Sequence, residues 1–391
     1  MMKKKEHILP TIYVILMLAI MVLPAIFMNN DQDAISLTTN SELMEWSYVT
    51  SRSPLWFLKG VDGYVEQRIG FKDEAISAYE KGIDGIFGLL LHPTYAYGEE
   101  GHLIASEDEI IRDYQHINVD TDAEFIDSYT EFVKDTYDYL TGQDISFLYF
   151  LAPDKQTIYP EYMDHNINVY SECTSRTERI LSKLSDVPYI YPVQEFYDKK
   201  PERLLFNKTV DVYHWNKYGE YLGNVLIDNY IVDECGIDVV PLRDKAYTLN
   251  DKHVDGVRLS GSNIFVSDDI PEIVFEGQEL TENSAPVSVN DITEEDPMKE
   301  KIWGDFEHYI NPDAPNDTVF LLLHDSYMAN GSMFYADRYK ESIAVHIANY
   351  AMLKELVETY HPDVVVLENV ERVFNCEWFD YETLRTCVST N

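Results

Sequence analysis

The sequence predicts an α/β fold with a central parallel sheet and a β-rich insertion, preceded by one transmembrane helix. Short apolar runs at Ile145 to Leu151, Thr318 to Leu323 and Val364 to Leu367 alternate with longer amphipathic stretches. That rhythm belongs to strands buried on both faces beneath helices. Residues 243–298 interrupt it with polar, turn-rich sequence, and an uncharged stretch from Ile8 to Phe27 comes before everything else.

Lys3-Lys4-Lys5 precede the uncharged stretch, and Asn29, Asn30 and Asp31 follow it. About twenty apolar residues at ~1.5 Å each cross a bilayer core. Flanking lysines hold their own side in the cytoplasm. Residues 1–7 therefore read as a cytoplasmic tail, 8–28 as a transmembrane anchor, and the bulk of the chain as extracytoplasmic at the cell membrane. The rival is a cleaved signal peptide, whose apolar core is normally shorter. Ala25-Ile26-Phe27 also lacks the small-x-small pattern that precedes a cut.

Residues 29–95 read as a stalk and helical lead-in. The segment is polar to about residue 50, and two helices from Leu55 to Phe87 then join near Phe71-Lys72. Residues 96–391 form one domain. Its elements run in order from a hairpin around Tyr97 to Ile104 to a helix over Thr121 to Leu140, with Phe125, Tyr129, Phe132, Val133 and Tyr137 on one side. A strand at Ile145 to Leu151 is closed by Ala152-Pro153. A helix over Ser171 to Leu184, a strand at Val187 to Tyr191 and a helix over Asn216 to Val232 come next. The insertion at about 243–298 holds short alternating stretches at Val257 to Leu259, Ile264 to Val266 and Ile273 to Phe275. Beyond it lie strands at Thr318 to Leu323 and Ser342 to Ile347, a helix over Ala351 to Tyr360 and a strand at Val364 to Leu367.

With 69 acidic and 30 basic residues the net charge is -39. Such a surface repels nucleic acid and anionic lipid, so direct DNA or RNA binding is not expected. The 29 tyrosines suit sugar stacking but serve equally as packing residues. The four cysteines, Cys173, Cys235, Cys376 and Cys387, show no CxxC spacing. This disfavours a zinc cluster or a disulfide-stapled scaffold. Cys376 and Cys387 could pair outside the cytoplasm; otherwise all four are free.

Two short motifs carry the chemistry. Asp211-Val212-Tyr213-His214-Trp215 lies ahead of a helix, and His324-Asp325-Ser326-Tyr327 ends an apolar strand. A serine hydroxyl becomes a nucleophile at neutral pH when an imidazole takes its proton and a carboxylate fixes the imidazole. Functional groups in open α/β sheets gather at strand C-termini, and Ser326 lies at one. Ser326 is assigned as nucleophile, His214 as base and then acid, and Asp211 as orienter. N–H groups of the following turn are placed to stabilise an oxyanion. Asp211, His214, His324 and Asp325 are all possible metal ligands, but adjacent residues of extended chain point apart. No metal and no cofactor are assigned.

Asp-x-x-His-Trp followed by Asn216 and Gly219, with Asp325-Ser326 at a later strand end, resembles the SGNH-like polysaccharide O-acetyltransferases related to the alginate acetylation proteins. It is similar also to the neighbouring DHHW-motif family. Leu151-Ala152-Pro153-Asp154-Lys155 with Tyr159-Pro160, the segment Gly98 to Ile104, and Pro362 to Arg372 match further blocks in the same order. One departure stands beside the nucleophile: His324 replaces the glycine usual before Asp-Ser, adding bulk there.

The resemblance implies a flavodoxin-like SGNH-hydrolase fold. It implies acetyl transfer outside the membrane onto a polysaccharide acceptor, with a multi-spanning membrane acyltransferase as donor partner and Asp211, His214 and Ser326 as the triad. Lys155, Tyr327, Asn330, Arg372 and Trp215 are candidate substrate or oxyanion contacts, each with a plain structural alternative. An esterase using the same triad, and a non-catalytic glycan-binding or assembly factor, remain as rival functions.

Overall fold

The computed structural model describes residues 8–31, 35, 42–50, 54–117, 123–259, 262, 264–281, 284–372 and 379–388. Cys376, one half of the possible disulfide, lies outside them; Cys173, Cys235 and Cys387 are free thiols. The chain divides into two compact units, Met1–Ala96 with Asp255–Ser267, and Tyr97–Val254 with Asp268–Asn391.

The first unit holds α1 (Ile8–Ile26), α2 (Trp46–Thr50), α3 (Pro54–Arg68) and α4 (Lys72–Phe87). Helix α1, at mean hydropathy 2.4, is long and apolar enough to cross a membrane. The α3–α4 junction falls at Phe71-Lys72, where sequence periodicity places it. Part of what reads as stalk is folded. Buried Arg68 donates to the carbonyls of Asn29, Asp31, Leu43 and Met44, which ties those residues to the end of α3.

Next along the chain, β1 (Tyr95–Tyr97) and β2 (Leu103–Ala105) form the expected small hairpin. Helices α5 (Asp108–Tyr114) and α6 (Ala123–Thr141) follow. Phe125, Tyr129, Phe132, Val133 and Leu140 recur at helical spacing on α6 and are all buried, the stripe that binds a helix to a sheet. Then come β3 (Ser146–Ala152), α7 (Lys155–Ile158), α8 (Arg176–Lys183), β4 (Tyr189–Ile190), α9 (Val193–Lys199) and α10 (Lys217–Asn229). Ser175 and Glu178 form a reciprocal cap that starts α8, so that helix begins later than its apolar pattern suggests.

The insertion is a long hairpin of β5 (Tyr247–Arg258) and β6 (Phe265–Phe275), followed by β7 (Asn290–Asp291) and β8 (Phe306–Ile310). The remaining elements are β9 (Val319–His324), α11 (Ser332–Tyr335), β10 (Glu341–His346), α12 (Leu353–Tyr360), β11 (Val364–Val370) and α13 (Tyr381–Thr386).

The main sheet has the order β4-β3-β11-β9-β10-β8-β7. The five strands from β4 to β10 are parallel, while β8 and β7 extend that edge antiparallel. The sheet is therefore mixed rather than purely parallel. Strands β9 and β11 are almost wholly buried, which is why they read as unbroken apolar runs. Residue pairing runs from Glu341↔Val319 to His346↔His324 between β10 and β9. The C-termini of β3, β11, β9 and β10 thus share one rim, and every candidate residue lies on it or on a loop that reaches it.

Candidate active site

Ser326 comes two residues beyond β9. His324 and Asp325 before it are buried, whereas Ser326 is exposed. Asp325 pins the turn. Its Oδ1 accepts the Tyr327 N–H (2.8 Å), its Oδ2 accepts the Val370 N–H (2.7 Å), and its own N–H donates to Glu368 Oε2 (3.1 Å). Burial, and then the Asp325 charge, push the Glu368 carboxyl far up, which favours its neutral form beside Asp325. His324 turns into the core and donates its Nδ1–H to the Asp325 carbonyl at 2.8 Å. Burial pushes His324 down to about 4, and its ring is neutral. The bulk expected beside Ser326 is buried in the core.

Asp211 and His214 stand on a loop closed where Phe206 pairs with Trp215 and the Asn216 N–H donates to the Leu205 carbonyl. Asn216 caps α10 by accepting the N–H groups of Tyr218 and Gly219, which fixes where the loop ends. The Thr209 and Val210 N–H groups donate to Asp268 Oδ2 on β6 (2.6 and 3.1 Å). Lys155 Nζ donates to the carbonyls of Leu103, Asn207 and Lys208 (2.8, 2.7 and 3.3 Å). Held from both sides, the loop places Asp211 in the left-handed region at φ 52°, a conformation that aspartate tolerates better than most residues.

The two motifs meet. His214 Nδ1 lies 2.7 Å from Asp211 Oδ1, and His214 Nε2 lies 2.9 Å from Ser326 Oγ. The imidazole is 30% exposed and the Asp211 carboxylate 49%, so the relay opens onto solvent.

The other candidate residues have structural occupations. The buried Lys155 ammonium spends its donors on carbonyls, and burial pushes it down to about 7; it shapes the Asp211 loop and faces no open site. Buried Trp215 donates Nε1–H to the Tyr327 carbonyl at 2.8 Å, bracing the serine turn. A Cβ at Gly223 would lie 2.7 Å from the Trp215 ring, so glycine there makes room for the indole. Tyr327 donates its hydroxyl to Asp154 at 3.1 Å, while Arg372 pairs with Asp154 and donates to the Tyr327 hydroxyl at 2.9 Å. Arg372 also lies over the Tyr213 and Tyr327 rings at 5.3 and 5.0 Å. Asn330 is exposed, and its backbone carbonyl accepts from Lys217.

Asp268 and Asp154 are supporting residues that sequence reasoning does not single out. Asp154 stands inside the Pro-Asp-Lys block and was the one most open to detection. The N–H groups after Ser326 are also committed, Tyr327 to Asp325 Oδ1 and Met328 to the Asp325 carbonyl. Among the described residues the Ser326 N–H donates to no protein group.

No family model and no curated protein matches this chain. Solved structures do. Bacillus cereus PatB1 with a sulfonyl adduct superposes with a TM-score of 0.52 at 16% identity, covering 73% of this chain and 97% of its own. The O-acetyltransferase domain of Pseudomonas putida AlgJ gives 0.50 at 13% identity, covering 76% and 100%. A DHHW family protein from Eubacterium siraeum aligns at 0.42 and 13% identity, covering 75% and 98%. These neighbours are of the kind the motifs resemble. At such identities the first two show a shared fold.

Proposed function

We infer that this chain is a single-pass, extracytoplasmic O-acetyltransferase acting on a cell-surface or secreted polysaccharide, with residues 96–391 as an SGNH-hydrolase domain of flavodoxin-like fold. The observation that carries this is the continuous relay Asp211–His214–Ser326, 2.7 and 2.9 Å long. Ser326 Oγ attacks the acetyl carbon of a donor while His214 Nε2 takes the hydroxyl proton. His214 returns that proton to the leaving group, leaving acetyl-Ser326 and a neutral imidazole. A sugar hydroxyl then attacks the acetyl carbon, giving its proton to His214, and Ser326 departs with that proton as a free hydroxyl. Asp211 holds the Nδ1–H tautomer and favours the imidazolium formed in each step. The Ser326 N–H is the nearby backbone donor left for the oxyanion. The acetyl donor fits a multi-spanning membrane acyltransferase, near which helix α1 would tether the domain.

An exposed relay on an open rim suits a polymer acceptor, since small-molecule sites enclose most of their ligand. The same exposure admits water, which favours an esterase as second reading. Both are tested on the full-length chain in detergent with p-nitrophenyl acetate. Wild type should show an adduct of about 42 Da and turnover. Ser326→Ala and His214→Ala should lose roughly a thousandfold or more in rate. Full turnover in the Ser326→Ala protein would sink the assignment, and acetyl passing only to water with glycans present would select the esterase.

A further inference from the structure

Trp215 and Trp303 both lie in the unit that holds the relay, and their situations are opposite. Trp215 is 5% exposed and buried against the serine turn, whereas Trp303 is 60% exposed. Leaving so large an apolar ring in water forfeits burial energy that a core position would recover. Nevertheless the backbone that presents it is built with care. The buried Asn349 side chain grips Trp303 on both sides, accepting its N–H at 2.9 Å and donating to its carbonyl at 2.8 Å. The same amide donates to the His346 carbonyl at 2.9 Å, which fixes the grip to the end of β10.

The His346 ring meets the indole in a T-shaped contact at 5.2 Å and 77°, and Trp303 remains 60% exposed beside it. Gly304 follows at φ 80°, and a Cβ there would lie 3.2 Å from the His346 ring. Only glycine turns the chain that closely over the histidine. His346 pairs with His324 across β10 and β9, and Ser326 lies two residues beyond His324. The segment that carries Trp303 leads into β8, which flanks β10 on the side away from β9, so Trp303 stands about two strand spacings, ~10 Å, along the rim from the strand that delivers Ser326.

We propose that Trp303 is a stacking platform for an uncharged glycan, holding a sugar ring of the acceptor chain away from the ring that is acetylated. This rests on the acetyl-transfer reading and adds to it a subsite and a substrate class. A rigidly held, exposed indole offers a flat apolar face at little conformational cost, which is what the apolar face of a pyranose requires. Uncharged is specified by electrostatics. Exposed Asp305 neighbours the platform, and the whole chain carries -39, so a uronate polymer approaches against repulsion while a neutral one does not.

The test titrates full-length protein in detergent by calorimetry with a hexamer of N-acetylglucosamine and, separately, a uronic acid hexamer. Trp303→Ala and Trp303→Phe are carried in parallel. Wild type should bind the neutral hexamer more tightly than the uronate. Trp303→Ala should weaken that binding roughly tenfold, with Trp303→Phe between the two. In transfer assays the loss should appear in KM for the hexamer and not in kcat. Hydrolysis of p-nitrophenyl acetate, which needs Ser326 but no glycan, should stay at the wild-type rate and certify the fold of the variants. Equal affinity in wild type and Trp303→Ala, no binding of the neutral hexamer by wild type, or tighter binding of the uronate would each overturn the proposal. Absence of Ser326-dependent ester hydrolysis would instead strike the acetyl-transfer reading, while the calorimetry still reports on Trp303.

Discussion

Two aspartates come within reach of the serine turn, and their surroundings give them different work. Asp325 is fully buried and uses both carboxylate oxygens to accept backbone N–H groups, whereas Asp211 is half exposed and faces the imidazole. Asp325→Asn would turn an amide N–H toward a backbone N–H, costing about 1–3 kcal/mol for the group left unpaired. Asp211→Asn should leave the melting temperature almost unchanged and lower kcat for ester hydrolysis by roughly a hundredfold or more. Thermal melts beside rates separate the two, and an Asp325→Asn protein as stable as wild type would refute the structural role. His324 adds a pH signature. The unfolded chain binds its proton near the ordinary value of 6.5, the folded chain only near 4. Stability from this group is thus intact above pH 6.5 and declines as pH falls toward 4. His324→Asn, which can still donate to the Asp325 carbonyl, should flatten that part of the stability profile. An unchanged slope between pH 6.5 and 4 would show that His324 does not set it.

At the scale of elements, what was legible is what is buried locally. Strands β9 and β11 and helix α6 announce themselves through apolar runs or a helical stripe, and the rim position of Ser326 follows from β9 alone. Strand β8 was missed because Phe-Glu-His-Tyr-Ile includes an ion-pairing centre. His308 lies between Asp296 and Glu341 at 2.5 and 2.8 Å, so polar residues occupy a buried strand and mask its period. The hairpin β5–β6 reads only as fragments because β5 has no fully buried residue and β6 buries only Pro271, Ile273 and Phe275 near its end. Its role was illegible for another reason: Asp268 grips Thr209 and Val210 from 59 and 58 residues away, and no local pattern encodes a partner so distant. The sequence leaves Lys155 between orienting a substrate hydroxyl and pairing with a carboxylate, since it does not show that three carbonyls converge on one ammonium. The insertion is thereby a positioning element for the Asp211 loop. Asp268→Ala should lower kcat roughly tenfold or more with little change in KM for a small ester, because it loosens the orienter without touching the binding surface. A change confined to KM would assign the insertion to substrate binding instead.

For the whole molecule the dominant physical fact is charge. A net -39 over 391 residues sets a field that every charged ligand must cross, and its reach depends on salt: the Debye length is about 30 Å at 0.01 M and about 8 Å at 0.15 M. Interactions at the relay itself are shorter than either length, so hydrolysis of a neutral ester should hardly respond to ionic strength. Approach of a long anionic polymer spans many such lengths and should respond strongly. Raising salt between those limits should therefore increase kcat/KM for a uronate acceptor several-fold, almost entirely through KM, and leave an uncharged acceptor nearly unaffected. Initial rates with the two acceptors across a salt series would decide. If uronate transfer fell as salt rose, attraction rather than repulsion would govern its approach. A basic patch on the acceptor path would then outweigh the global charge, and the acceptor would have to be assigned among anionic polymers.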